Sequence, residues 1–207
     1  MLQIRGNDIS MIFQDPMTAL DPVYTIGSQI MEVINAHQKM SKAEAKEYAV
    51  KVLKMVGIPE AEKRLKSYPH EFSGGMRQRV IIAMAIACNP KLIIADEPTT
   101  ALDVTVQAQV LGLMKNLQKE SNSSIILVTH NLGVVWKMCD TVMVMYAGKT
   151  VEYADVKMIY SDARHPYTWG LLKSMPKVTD DPNIPLASIP GTPPDLKLTG
   201  GSCNFHN

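Results

Sequence analysis

Two adjacent carboxylates, Asp96 and Glu97, are the residues of this sequence best suited to chemistry at a phosphate group. They follow the apolar run 92–95, which predicts a buried strand, and open α/β sheets place ligands at the carboxyl ends of such strands. Adjacent side chains leave a strand end in different directions. One acid could therefore support a hydrated Mg²⁺ while the other positions an attacking water. Taken alone, the motif is equally compatible with a solvated Asp-Glu pair.

A second candidate is Ser73-Gly74-Gly75, which directly precedes the helical pattern of residues 76–88. Two glycines expose backbone N–H groups, and the dipole at the start of a helix favours an anion. The hydroxyl of Ser73 adds a further donor to such a site. The alternative is a simple helix cap followed by flexible glycines.

Two polar residues follow other apolar stretches in the same way. His130 comes just after the stretch 125–128, where an imidazole could contact a phosphate oxygen. A lone histidine at a strand end is more often structural. Gln14 follows the stretch 9–13, and by itself it carries almost no information.

The elements that must position these residues alternate along the chain. Ser41 and Glu44 have the spacing of a capping box, and Asp103 is placed as a helix N-cap. Residues 14–24 predict a loop. The pattern predicts strands over 9–13, 91–95, 125–128, 141–146 and 150–153, and helices over 26–38, 41–56, 60–66, 76–88, 104–119 and 132–138. Short strands that are apolar on both faces and alternate with helices indicate a parallel sheet covered by helices.

Composition excludes several classes of protein. The formal net charge is +1, from 21 Lys+Arg against 20 Asp+Glu, which argues against an electrostatic nucleic-acid surface. No apolar run is long enough for a membrane span. The three cysteines are widely spaced and predict neither a disulfide framework nor a zinc site. Cys203 alone cannot build a four-cysteine cluster. Proline enrichment from about residue 176 predicts an extended, loop-rich tail.

The four candidate motifs stand in a fixed order along the chain. They read Ile-Phe-Gln-Asp-Pro at 12–16, Phe-Ser-Gly-Gly-Met-Arg-Gln-Arg at 72–79, Ile-Ile-Ala-Asp-Glu-Pro-Thr-Thr-Ala-Leu-Asp at 93–103, and Val-Thr-His at 128–130. In this order they resemble the Q-loop, signature motif, Walker B with D-loop, and switch histidine of ATP-binding-cassette (ABC) ATPases. The resemblance covers roughly residues 8–153.

A closer resemblance, to the oligopeptide/dipeptide importer subfamily, rests on the segments 13–22, 68–80, 165–172 and 189–194. It implies an α/β fold: a partial P-loop NTPase core with a mostly parallel sheet, a helical subdomain and a loop-rich C-terminal extension. The implied divisions are 1–24 (Q-loop end of the core), 25–72 (helical subdomain), 73–153 (signature, Walker B, D-loop and switch histidine) and 154–207 (C-terminal extension).

The resemblance also implies roles for single residues, with ATP and Mg²⁺ as the bound groups. Glu97, His130 and Gln14 would be catalytic; Ser73, Gly74, Gly75, Gln78 and Asp103 would contact nucleotide across a dimer; Asp96 and Gln14 would hold the metal. The implied partners are a second ABC ATPase subunit, identical or different, transmembrane permease subunits and, indirectly, an extracytoplasmic solute-binding protein. The implied location is peripheral, at the cytoplasmic face of the cell membrane. The transported solute stays open, with peptides and nickel among the choices.

One departure from the family limits the expected activity. The P-loop pattern Gly-x-x-x-x-Gly-Lys-Ser/Thr does not occur. The only Gly-Lys-Thr is Gly148-Lys149-Thr150, which has Met143 in place of the first glycine and fits a turn between strands. We expect a fragment of a longer ATPase; a P-loop supplied by another polypeptide and a non-catalytic or regulatory remnant are the alternatives. We also expect the chain alone to be inactive and to expose apolar sheet surface.

Overall fold

The structure, a computed structural model, describes residues 1, 3–100, 102–176, 187–192, 194 and 205. The chain divides into two units, Met1–His130 and Asn131–Asn207. Cys203 and most of the proline-rich segment lie outside the described residues. The finer boundaries expected after residues 24, 72 and 153 stay predictions.

A parallel sheet forms the centre of the first unit. It contains β1 (Ile9–Ile12), β2 (Leu92–Asp96) and β3 (Ser124–Val128), in the order β1-β2-β3. The register aligns Ile12 with Ala95, and Ala95 with Leu127. The carboxyl ends of all three strands therefore meet at one edge, and the prediction of a parallel α/β sheet is confirmed.

The two faces of this sheet differ in exposure. On one face Ile12 and Ala95 are 0% exposed. On the other face Met11 is 40%, Ile126 is 50% and Val128 is 48% exposed. The uncovered apolar surface expected from the sequence is therefore present. The strands are apolar on both faces, but the described residues cover only one of them.

Helices of the first unit begin and end close to the predicted positions, with two corrections. They are α1 (Pro16–Ala19), α2 (Ile26–His37), α3 (Lys42–Met55), α4 (Ala61–Arg64), a 3₁₀ turn (Pro69–Glu71), α5 (Gly74–Ile86) and α6 (Val104–Ser121). The segment 14–24 is not wholly a loop, because Pro16 starts a short helix, a position that proline favours. Helix α5 starts at Gly74 instead of 76, because Ser73 is its cap.

Hydrogen bonds at helix ends fix this arrangement. The predicted capping box is present: Glu44 N donates to Ser41 Oγ at 3.3 Å, and Ser41 N donates to the Glu44 carboxylate at 2.7 Å. On α5, the Arg79 guanidinium donates to the Gly57 carbonyl at 3.2 Å and to Gln109 Oε1 at 2.7 Å. Arg79 thus joins the end of α3 to α6.

The described part of the second unit contains a β-hairpin and three helices. These are α7 (Leu132–Met138), β4 (Thr141–Tyr146), β5 (Lys149–Asp155), α8 (Val156–Ser161) and α9 (Pro166–Lys173). Ala147 and Gly148 have positive φ values of 48° and 76°, as two-residue hairpin turns require. The Gly-Lys-Thr sequence is therefore part of this hairpin, as expected. Among the described residues, no helix has the length and apolar character that a membrane crossing needs.

Candidate functional site

Glu97 lies immediately after β2, at the edge where the parallel strands end. Its backbone N–H donates to the carbonyl of Val128, the last residue of β3, at 2.9 Å. Its φ of 43° lies in the left-handed region, which is uncommon for a residue with a side chain. Such backbone strain is typical of functional sites. The chain is therefore turned sharply at the acid itself.

Three side chains from separate segments hold the Glu97 carboxylate. Oε1 lies 2.8 Å from His130 Nδ1, while Oε2 accepts from Gln14 Nε2 at 2.9 Å and from Thr100 Oγ1 at 2.8 Å. Gln14 and His130 are 83 and 33 residues away in sequence. The Glu97 side chain is 21% exposed. The structure thus brings together all three residues that the sequence assigned to catalysis.

These contacts also set the charge of Glu97. The hydrogen bond from His130, followed by that from Thr100, outweighs partial burial and holds the pKa of Glu97 below its ordinary value. An acid with a lowered pKa is ionised at neutral pH and acts as an acceptor of hydrogen bonds. The group is therefore suited to orienting a water molecule through a hydrogen bond.

Asp96 is the last residue of β2 and is half-buried. Gln14 uses its amide nitrogen on Glu97, so its amide oxygen is the atom left for a cation. Hard oxygen donors of this kind fit Mg²⁺, which commonly takes one or two protein oxygens and keeps several waters. Within the described ranges, no group of three or more His, Cys, Asp or Glu side chains could hold a metal ion.

The remaining candidates lie where α5 and α6 begin. Ser73 Oγ accepts from Met76 N at 3.3 Å, and Asp103 Oδ1 accepts from the backbone N–H groups of Thr105 and Val106 at 3.0 Å each. A Cβ placed on Gly75 would lie 2.5 Å from Val106 Cγ1, closer than real side chains approach. The absence of a side chain at Gly75 therefore lets the two helix starts approach each other.

The two signature glycines offer a matched pair of substitutions. A Cβ on Gly74 would meet nothing within 4 Å, unlike one on Gly75. We expect Gly75→Ala to lower the free energy of unfolding by about 1–3 kcal/mol, the usual cost of overpacking. Gly74→Ala should leave it unchanged or raise it by up to about 1 kcal/mol, because alanine favours helix. Urea unfolding of both variants measures the difference. Equal values would contradict the close approach of α5 and α6.

The surroundings of two residues, Gln78 and Thr100, were not inferred from the sequence. Gln78, a predicted nucleotide contact, is 1% exposed, and its Nε2 has no hydrogen-bond partner in the structure. Its role at a nucleotide stays a prediction, and it requires the side chain to become accessible. Thr100 was not singled out from the sequence, although it contacts the acid directly. A hydroxyl three residues after a strand-end carboxylate was the available signal.

Comparisons with known proteins agree with this geometry. The family model for "ABC transporter" matches residues 1–100, and that for "Oligopeptide/dipeptide transporter, C-terminal region" matches residues 151–207. The chain belongs to the ABC transporter family. The predicted family and subfamily are both confirmed.

Curated relatives of this ABC family chain are oligopeptide transport ATP-binding proteins. OppD of Bacillus subtilis is 61% identical over 196 residues, which is 95% of this chain and 55% of OppD. OppD of Salmonella typhimurium is 55% identical over 202 residues, 98% of this chain and 60% of that protein. AmiE of Streptococcus pneumoniae is 57% identical over 194 residues, which is 94% of this chain and 54% of AmiE. The chain thus spans little more than half the length of these relatives.

Solved ABC cassettes share the fold. The dimeric post-hydrolysis structure of the ATP-binding cassette MJ0796, bound to ADP and Pi, has a TM-score of 0.66 and 29% identity. The match covers 74% of this chain and 65% of the MJ0796 chain. CbiO1 from Clostridium perfringens, part of the cbiONQ transporter complex, has a TM-score of 0.65 and 29% identity. The match covers 75% of this chain and 60% of the CbiO1 chain. The predicted α/β cassette fold is therefore confirmed.

Proposed function

We propose that this chain is part of an ATP-hydrolysing subunit that powers the import of oligopeptides or related small solutes through an ABC transporter. The observation that carries the proposal is the Glu97 carboxylate, held at the carboxyl edge of the sheet by Gln14, Thr100 and His130. Its lowered pKa suits a group that positions water beside a phosphate.

Each side chain of this network has a distinct task in the proposal. Glu97 orients the attacking water and accepts its proton. His130 donates to Glu97 through Nδ1, and in its protonated form its other ring nitrogen also donates to a γ-phosphate oxygen. Asp96 and the amide oxygen of Gln14 support Mg²⁺. Bound Mg²⁺ would neutralise charge on the phosphates of ATP.

The signature segment acts on a second nucleotide. Ser73, Gly74 and Gly75 start α5, where free N–H groups and the helix dipole favour an anion. We assign them to the γ-phosphate of ATP bound on a second ABC ATPase subunit, with Asp103 at the interface. The P-loop pattern is not found in the 207 residues. The proposal therefore assigns the phosphate cradle to a segment outside this sequence.

Peptide import and its partners are supported by similarity. Residues 151–207 match the oligopeptide/dipeptide transporter C-terminal region, and the relatives are named for oligopeptide transport. We accordingly assign the chain to the cytoplasmic face of the membrane, bound to permease subunits and supplied indirectly by an extracytoplasmic solute-binding protein.

A fusion protein tests the proposal. The part of Bacillus subtilis OppD that precedes the matched region is joined ahead of Met1, and the fusion is expressed in a strain lacking its own OppD. We expect Mg²⁺-dependent ATP hydrolysis by the purified fusion and restored uptake of a labelled oligopeptide. The same fusion carrying Asp96→Asn is the control. A fusion that melts cooperatively but shows neither activity would overturn the proposal.

A further inference from the structure

One oxygen of the Glu97 carboxylate accepts two hydrogen bonds of different origin. Gln14 Nε2 and Thr100 Oγ1 both donate to Oε2, at 2.9 and 2.8 Å, whereas Oε1 faces His130. A carboxylate oxygen can accept two hydrogen bonds, so the two donors together fill the acceptor positions of Oε2. The two donors come from different segments, and each can be removed separately by substitution.

The backbone fixes the position of the Thr100 hydroxyl. Glu97 has left-handed φ, and Thr100 N donates to the Glu97 carbonyl at 3.3 Å, which closes a turn. The neighbouring Thr99 is 7% exposed, and its carbonyl accepts from Leu102 N at 3.1 Å. The turn is thus anchored at Glu97 by β3 and at Thr99 by burial. Thr100 is itself exposed, and its hydroxyl reaches Oε2 from a turn that does not involve Gln14.

Gln14 reaches Glu97 from a different segment of the chain. It lies on an exposed stretch between β1 and α1, 83 residues from Glu97, and its contact with Glu97 is a long-range one. In the proposed function its amide oxygen serves a cation while its amide nitrogen donates to Glu97. If Gln14 were the sole donor to Oε2, the orientation of that carboxylate oxygen would depend on this one long-range contact.

We propose that Thr100 is a positioning residue that holds the Glu97 carboxylate in its observed orientation, aimed at the water site, independently of Gln14. The inference rests on the proposed function, because it concerns the acid that acts there. Thr100 touches neither nucleotide nor water in this role and acts only through Glu97. Its hydroxyl, not its size, is what the role requires.

Side-chain NMR of the 207-residue chain tests the inference without nucleotide. Three-bond couplings of Glu97 report how much of the side chain occupies the conformer seen in the structure. In a Gln14→Ala background we expect Thr100→Val to lower the ratio of this conformer to all others about tenfold, the low end for a hydrogen bond to an ionised group. Thr100→Ser, which keeps the hydroxyl, should preserve the ratio. Thr105→Val, at an exposed threonine of α6, is the matched control.

The outcomes separate the inference from the proposed function. An unchanged conformer ratio in the Gln14→Ala/Thr100→Val chain would overturn the inference, as would a serine variant that behaves like valine. In the fusion protein, Thr100→Val should lower kcat, leave KM for ATP unchanged, and be rescued by Thr100→Ser. If the fusion shows no hydrolysis at all, the proposed function fails, while the couplings still decide whether Thr100 positions Glu97.

Discussion

The purified 207-residue chain should release phosphate from Mg²⁺-ATP no faster than its own Glu97→Gln variant. A general base contributes typically about 10²–10⁴-fold to a rate, so a working Glu97 would separate the two proteins clearly. We expect no separation, because the lysine and backbone amides that cradle the β- and γ-phosphates belong to the P-loop pattern, which this sequence lacks. Phosphate release with and without Mg²⁺ measures the rate.

The comparison of the two proteins also removes a common ambiguity. A contaminating ATPase would contribute equally to both preparations, so only the difference between them is informative. Magnesium-dependent turnover that Glu97→Gln lowers would contradict the prediction. It would mean that the described site binds and cleaves ATP with phosphate contacts of its own.

The second large effect concerns stability, at two neighbouring residues of β1. Ile12 is fully buried and Met11 is 40% exposed on the opposite face. We expect Ile12→Ala to lower the free energy of unfolding by about 2–5 kcal/mol, because it removes buried methylene groups and leaves a cavity. Met11→Ala should cost less than about 1 kcal/mol, since its side chain already contacts water. Chemical denaturation followed by circular dichroism gives both values.

This pair of substitutions tests whether one face of the parallel sheet is buried and the other is exposed. Both substitutions replace an apolar side chain of β1 with alanine at neighbouring positions, and they differ mainly in the face of the sheet that the side chain occupies. Comparable losses at Ile12 and Met11 would mean that something covers the second face in solution. Self-association of the chain could bury this face, so the measurement is repeated at several protein concentrations.

Elements that are determined by residues close together in the sequence could be predicted from the sequence. The capping box at Ser41 and the cap at Asp103 depend on side chains that bond within three residues, and both are present. The parallel direction of the strands followed from apolar strands separated by helices. The hairpin turn around Gly148 was equally local. In each case, nearby residues determine the structure.

Long-range features could not be read in the same way. The sequence pointed to Gln14, Glu97 and His130 by resemblance, but not to the contacts among them, which depend on strand register. Thr100 was missed because its contact with Glu97 depends on the left-handed backbone at Glu97. The residue types around Glu97 do not predict that backbone conformation. The burial of Gln78 likewise depends on how α5 packs, since helical spacing alone did not separate its faces.

The two hydrogen bonds of Arg79 give the first unit a mechanical connection. One rigid, planar guanidinium touches the carbonyl of Gly57 and the side chain of Gln109, on opposite sides of α5 in the sequence. Gly57 after α3 and Gln109 of α6 are therefore connected through the side chain of a single residue of α5. Ser73 caps the start of α5 and Asp103 caps the start of α6, so this connection joins the two helices whose first residues carry these caps.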